Sequence, residues 1–283
     1  MNQVIIAIPL YKTKPCAEEQ RAFIQMITIL KKYPFSFFCP REFDFRVYKE
    51  LLESCFIQYT IEPFAPHYFS SIRGYNRLLL KPSFYKRYSN YKYILICQLD
   101  VWIFKDELAY WCSQNYDYIG APFLLENDMY FRYKKTPADY PNAKFKVGNG
   151  GLSLRNVSTM IKVLTKARYS FHKIYTWKML QNAAKTKKRH AFSFLYYLYY
   201  FYPLNFMCCH SFFPINEDAV ISIYIHRHTK FSMPPPQVAA KFSLDSYPSY
   251  WLKQQKRLPF GGHAYLKYDK ECFLRYRNKT EKS

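Results

Sequence analysis

The chain has 283 residues, 49% of them hydrophobic, which excludes a disordered or fibrous protein and leaves room for one large globular domain or two small ones. Lys and Arg number 42 against 20 Asp and Glu, and the resulting charge of +22 favours polyanionic partners without choosing between nucleic acid, anionic headgroups and phosphorylated glycan. The eight cysteines include no CxxC pair, which argues against a zinc ribbon; several lie in apolar runs, as reduced thiols of a cytosolic protein do.

In chain order, MNQVIIAIPLY carries neither a basic leader nor a small-residue cleavage site, so Val4 to Pro9 is read as a first strand and not as a signal. Apolar positions at Phe23, Ile24, Ile27 and Leu30 predict a helix from Cys16 to Tyr33, stopped by Pro34. Phe35 to Cys39 predicts a second strand, Tyr48 to Cys55 a second helix, Phe56 to Ile61 a third strand and Arg73 to Tyr88 a third helix. The alternation predicts an α/β fold with a mostly parallel central sheet, right-handed crossovers and flanking helices. Both GxGxxG and GxxxxGK[ST] are missing, so neither a dinucleotide fold nor a P-loop is supported.

Tyr93, Ile94, Leu95, Ile96, Cys97 and Leu99 form the apolar stretch of the next, interior strand, and Asp100 is the first carboxylate beyond it. Ligands of open α/β sheets gather outside the carboxyl ends of such strands, which makes Asp100 a candidate for handling a cation or phosphate. Residues Glu126 to Lys146 turn polar and Tyr/Pro-rich and are read as a loop over the site. Three of the seven glycines then fall in Gly148-Asn149-Gly150-Gly151, where positive φ and close backbone approach to a substrate compete with an ordinary tight turn. Lys185 to Phe213 couples a basic cluster to an uncharged run rich in Tyr and Phe, with three readings open: core or oligomer contact, an interfacial helix on an anionic membrane, or a span.

Further along stand Asn216-Glu217-Asp218, ahead of the apolar AVISIYI, and PFGGH with His263. Taken singly these pieces have bland explanations, a charged helix N-terminus for Glu217 and Asp218 and a hydrogen-bonded loop histidine for His263. Taken in order, YILICQLDVWIFKDELAYWC with YDYIGAPF, VGNGGLSLRNV, NEDAVIS and PFGGHAY resemble a bacterial glycosyltransferase-like family long catalogued as a domain of unknown function, as do IPLYK and GYNRLLL near the start. That family in turn looks like the glycosyltransferase-A (GT-A) fold.

The resemblance implies a single domain over residues 1–283, with a nucleotide-sugar-binding half at 1–120 and an acceptor half at 121–283 that carries the basic, aromatic helical insertion 185–213. It implies that Asp100 holds a divalent Mn²⁺ or Mg²⁺ with His263 as second ligand, and that Gln98 takes the place of a first aspartate. It further implies donor or substrate contacts by Asn76, Arg77, Asn149, Gly150 and Gly151, with Asp218 as catalytic base and Glu217 as the alternative. Asp245 in KFSLD and the Ala264-Tyr265 pair depart from the family's usual pattern around the acceptor pocket. The implied partners are a nucleotide-sugar donor and a glycan or lipid-linked acceptor of lipopolysaccharide or capsule type, at the inner face of the cytoplasmic membrane, with inversion at the anomeric carbon expected of a one-step displacement. The competing reading, a non-catalytic basic binder of nucleic acid or glycan, leaves Asp100, Asp218 and His263 without a role, so no nucleic acid is expected.

Overall fold

The computed structural model describes residues 2–126, 129–130, 144–166, 216–226, 229–267 and 269–280. Strand β1 (Asn2–Pro9) is apolar on both faces because it lies inside the sheet. Val4, Ile6 and Ile8 pack with Phe23, Met26 and Ile27 of helix α1 (Ala17–Ile29) and Tyr48 and Leu52 of α2 (Arg46–Ser54). Ile5 and Ala7 point the other way, toward Leu78 and Leu79 of α3 (Ile72–Leu79) and Phe84 and Tyr85 of α4 (Pro82–Lys86). Burial of each such large apolar side chain is worth about 1.5–3 kcal/mol.

The central sheet has six strands in the order β3-β2-β1-β4-β10-β6, where β2 is Phe35–Pro40, β3 Tyr59–Phe64, β4 Tyr91–Cys97, β6 Tyr118–Gly120 and β10 Leu152–Asn156. β3, β2, β1 and β4 run parallel, while β10 is antiparallel to both β4 and β6, so the expected mostly parallel α/β sheet is present. A small sheet joins β5 (Val101–Ile103), β11 (Ser243–Leu244) and β12 (Gly261–His263), and another joins β7 (Pro122–Glu126), β8 (Met129–Tyr130) and β9 (Lys144–Val147). Helix α5 (Leu108–Ser113) lies between β5 and β6, and helix α6 (157–166) follows β10 directly.

Three expected boundaries move for identifiable reasons. The helix expected over Arg73 to Tyr88 is two, because Pro82 forces Lys81 into extended backbone at φ −89, ψ 127 and starts α4 itself. The third strand begins at Tyr59 and not at Phe56, since Phe56 leaves α2 in the left-handed region at φ 54 with its ring exposed. Helix α1 ends at Ile29, four residues short of Tyr33, and its start is fixed by Glu19, whose carboxylate accepts from the Cys16 backbone N–H at 2.9 Å. Most of the loop between Glu126 and Lys146 and all of Lys185 to Phe213 lie outside the described residues. Among the described residues no helix is long and apolar enough to cross a membrane.

One charged side chain is wholly inside this core. Arg155 of β10 donates to Tyr85 Oη at 2.8 Å, to Ser153 Oγ at 3.0 Å and to Glu217 Oε1 at 2.7 Å, and its guanidinium lies 5.2 Å from the centre of the Tyr118 ring. Glu217 is itself 3% exposed, so both charges of the pair are desolvated. Removing one partner leaves the other charge uncompensated. Arg155→Met is therefore expected to destabilise the fold by about 3–5 kcal/mol in urea unfolding, and Arg155→Met/Glu217→Leu to recover most of that loss.

Candidate active site

β1 leads into α1, packed on one face of the sheet, while its neighbour β4 is entered from α3 and α4 on the other face and leads into β5, back on the face of α1. Strand order reverses at this pair, with β2 and β3 on one side of β1 and β4 on the other, and a crevice lies outside the carboxyl ends of such a pair. A cavity of about 500 Å³ occupies that place, with Pro9 and Tyr11 after β1 and Gln98 and Asp100 after β4 in its wall. The turn between β9 and β10 adds Asn149, Gly150 and Gly151, and the turn of helix α7 (Glu217–Ala219) adds Asn216, Glu217 and Asp218. Asp245, His263 and Lys267 complete the chemically active lining.

His263 reaches this wall through a ladder. β12 pairs antiparallel with β5, with His263 opposite Val101 and Gly261 opposite Ile103, and Ala264 N donates to the Asp100 carbonyl at 3.0 Å. The imidazole is thereby set beside the loop that follows β4. Its Nε2 lies 3.0 Å from Gln98 Oε1 and 3.4 Å from Asp100 Oδ1, and its Nδ1 lies 3.1 Å from Asp245 Oδ1. Burial disfavours the charged ring, but Asp100 and then Asp245 outweigh it and raise the His263 pKa to about 10. Burial likewise works against the Asp100 carboxylate, and His263, with a smaller contribution from Lys267, holds its pKa below the ordinary value all the same.

A divalent ion fits this donor set. Asp100 Oδ1, Gln98 Oε1 and His263 Nε2 offer two oxygens and an imidazole nitrogen, a mixture that Mn²⁺ accepts more readily than Mg²⁺. Among the described residues no group of three His, Cys, Asp or Glu side chains forms a full metal cage. Nucleotide-handling Mg²⁺ and Mn²⁺ sites need none, since one or two protein ligands leave positions for phosphate oxygens and water. Nε2 would have to be unprotonated to hold such an ion.

The glycines of the β9–β10 turn work differently from expectation. None of them has a positive φ. They are needed for space: a Cβ on Gly151 would fall 2.2 Å from His263 Cδ2, and one on Gly150 would fall 2.6 Å from Glu217 Oε1. Their backbone polar groups are also engaged within the protein. Gly151 N donates to Asn149 Oδ1 at 2.9 Å, the Gly151 carbonyl accepts from Gln98 N at 2.9 Å, and Gly150 N donates to Asp218 Oδ2 at 3.1 Å. Asn149, expected to read a hydroxyl, spends its amide on the turn, with Nδ2 donating to Asp245 Oδ2 at 3.0 Å. The close approach is thus between backbone and protein side chains.

Asp218 lines the cavity with Oδ2 held by Gly150 N and Oδ1 by Ala219 N at 2.7 Å, whereas Glu217 is committed to Arg155. Asn76 is also in the wall, where it donates to Asn216 Oδ1 at 3.3 Å. Arg77 is not. Ile72, Tyr75 and Asn76 share the helical face of α3 that meets the cavity, and one further residue turns the side chain about 100° away. Sequence reasoning gave no site role to Asp245, Arg155, Tyr11 or Lys267. Asp245 had a visible signal, a carboxylate directly after the short apolar run that became β11, as Asp100 follows β4.

No curated protein matches the sequence. Among solved structures, mouse xyloside xylosyltransferase 1 in its apo form is similar at 9% identity over 93% of this chain and 97% of that one, with a TM-score of 0.49. A glycosyltransferase involved in the glycosylation of the major capsid of PBCV-1 is similar at 8% identity over 98% and 99%, TM-score 0.39. Core-mannan synthase A from Aspergillus fumigatus, in its Mn/GDP form, is similar at 13% identity and TM-score 0.39 over 56% of this chain and 60% of that one, so the match spans less than two thirds of either. Residues 58–263, well over half of the sequence, match the family described as protein of unknown function DUF5672, and the chain belongs to that family.

Proposed function

We propose that this protein is a metal-assisted glycosyltransferase of the GT-A type that moves a sugar from a nucleoside-diphosphate donor to a hydroxyl of a glycan or lipid-linked acceptor. The observation that carries the reading is one cavity at the β1/β4 switch point, whose wall holds both the Asp100–His263 pair and the backbone-anchored carboxylate of Asp218. A cation site and a proton acceptor on one crevice are what transfer from a diphosphate leaving group requires.

In this reading Asp100 and His263, with Gln98 beside them, hold the metal, which supplies Lewis-acid neutralisation of the diphosphate. Lys267, exposed at the same wall, adds positive charge near Asp100 and draws the phosphates to that end. Asp218 takes the proton of the acceptor hydroxyl as its oxygen bonds to the anomeric carbon and the bond from that carbon to the diphosphate oxygen breaks. Gly150 N and Ala219 N fix the carboxylate's orientation for that transfer. A single displacement of this kind inverts the anomeric configuration. Glu217 serves as the ion-pair partner of Arg155 beneath Gly150 and leaves the base role to Asp218.

Three measurements check the assignment. In a thermal-shift panel of nucleoside diphosphates, one nucleotide is expected to raise the melting temperature only when Mn²⁺ is present, by about 2.7 kcal/mol of added stability at a hundredfold excess over its Kd; a panel with no stabilising nucleotide, with or without Mn²⁺, refutes the donor class. Asp218→Asn is expected to keep that shift and to lower the transfer rate by about 10²–10⁴-fold, because it removes the proton acceptor and not the donor site. Gly151→Ala is expected to remain folded by circular dichroism yet lose the Mn²⁺-dependent shift, since its new methyl group displaces the His263 ring.

A further inference from the structure

Asp245 was singled out only as a departure from a motif, yet it is 1% exposed and touches two parts of the site at once. Its Oδ1 faces His263 Nδ1 at 3.1 Å, and its Oδ2 accepts from Asn149 Nδ2 at 3.0 Å and from Ser246 Oγ at 3.2 Å. Asn149 in turn accepts from Gly151 N through Oδ1, and Gly151 is the residue whose missing Cβ lets the imidazole lie against the turn. The contacts close a ring: Asp245 to His263, His263 against Gly151, Gly151 to Asn149, and Asn149 back to Asp245.

We propose that Asp245 is a positioning residue that orients His263 Nε2 toward the cation position by accepting from Nδ1 and, through Asn149, locks the Gly150–Gly151 turn to the same ring. The proposal rests on the metal site of the preceding section and adds to it the residue that makes the site rigid. A ligating histidine whose second nitrogen donates to a fixed carboxylate is held in one tautomer and one ring orientation. Without that acceptor the imidazole is free to turn about χ2, and its Nε2 ceases to converge with Asp100 Oδ1. The Asn149 amide would then lose its partner as well, so the turn would loosen together with the ligand.

An exchange of the two side-chain types tests this without removing the pocket's volume. In Asp245→Asn the amide can still accept from His263 with its oxygen, but its NH₂ then faces the NH₂ of Asn149, and one of the two hydrogen bonds must break. In Asn149→Asp/Asp245→Asn the donor and acceptor are swapped: the amide at 245 donates to the carboxylate at 149, which still accepts from Gly151 N, and the amide oxygen still accepts from His263. Hydrogen bonding is restored everywhere although the carboxylate no longer touches the histidine.

The readout is Mn²⁺ binding to the full chain without nucleotide, followed by the electron paramagnetic resonance signal of free Mn²⁺, with thermal unfolding recorded for each variant. Asp245→Asn is expected to weaken Mn²⁺ binding by about 10–100-fold, and the exchanged pair to recover to within about threefold of the unmodified protein. Unchanged affinity in Asp245→Asn overturns the proposal, and so does a folded exchanged pair that recovers nothing, because Asp245 would then act through charge alone. If Asp245→Asn fails to fold, the exchanged pair still decides between these outcomes. Saturable Mn²⁺ binding that His263→Gln leaves untouched in strength would strike at the metal assignment itself, separately from the role of Asp245.

Discussion

The site exists because strand order in one sheet reverses at two adjacent parallel strands whose carboxyl ends border the same gap. Hydrogen bonding holds β1 and β4 side by side, from Asn2 opposite Tyr91 to Ala7 opposite Ile96, and apolar packing seats α1 on one face and α3 and α4 on the other. The gap at their carboxyl ends is the cavity. Everything chemically active in the described chain borders that gap, although it comes from seven separate stretches of sequence.

Filling the gap with charge would be costly unless each charge were partnered, and the structure meets this in two tiers. At depth, Arg155 and Glu217 neutralise one another and hold up the turn from beneath. Nearer the surface, His263 lies between Asp100 and Asp245, and the two carboxylates favour the protonated ring. Asp100 is the most exposed of the three, its side chain 48% accessible against 2% for Asp245.

Much of this was readable in the residues. The two-faced apolar runs of β1 and β4 announced interior strands, and the position of Asp100 just past one of them announced the mouth of a crevice. Pro82 also carried its message, a break in the helix, which the periodicity of the surrounding residues obscured. What sequence could not convey was partnership. Glu217 and Asp218 are neighbours of the same chemical type, and only the fold reveals that an arginine 62 positions earlier claims the first. The same holds for the glycines of the β9–β10 turn: their number signalled a close approach, but whether the approaching group was a ligand, Glu217 or the His263 ring depended on contacts between distant segments. Arg77, expected beside Asn76, stands one residue further round the helix and does not line the cavity.

The ladder between β5 and β12 has a temporal consequence. Asp100 leaves the ribosome before His263, which follows more than 160 residues later. The parallel strands β1 to β4 are all translated by Cys97 and can pair in the interval. The corner where Asp100 meets His263 cannot form then, since one of its two walls has yet to be translated. A nascent chain therefore carries the Asp100 wall well before the His263 wall, and the two meet only when three short rungs pair.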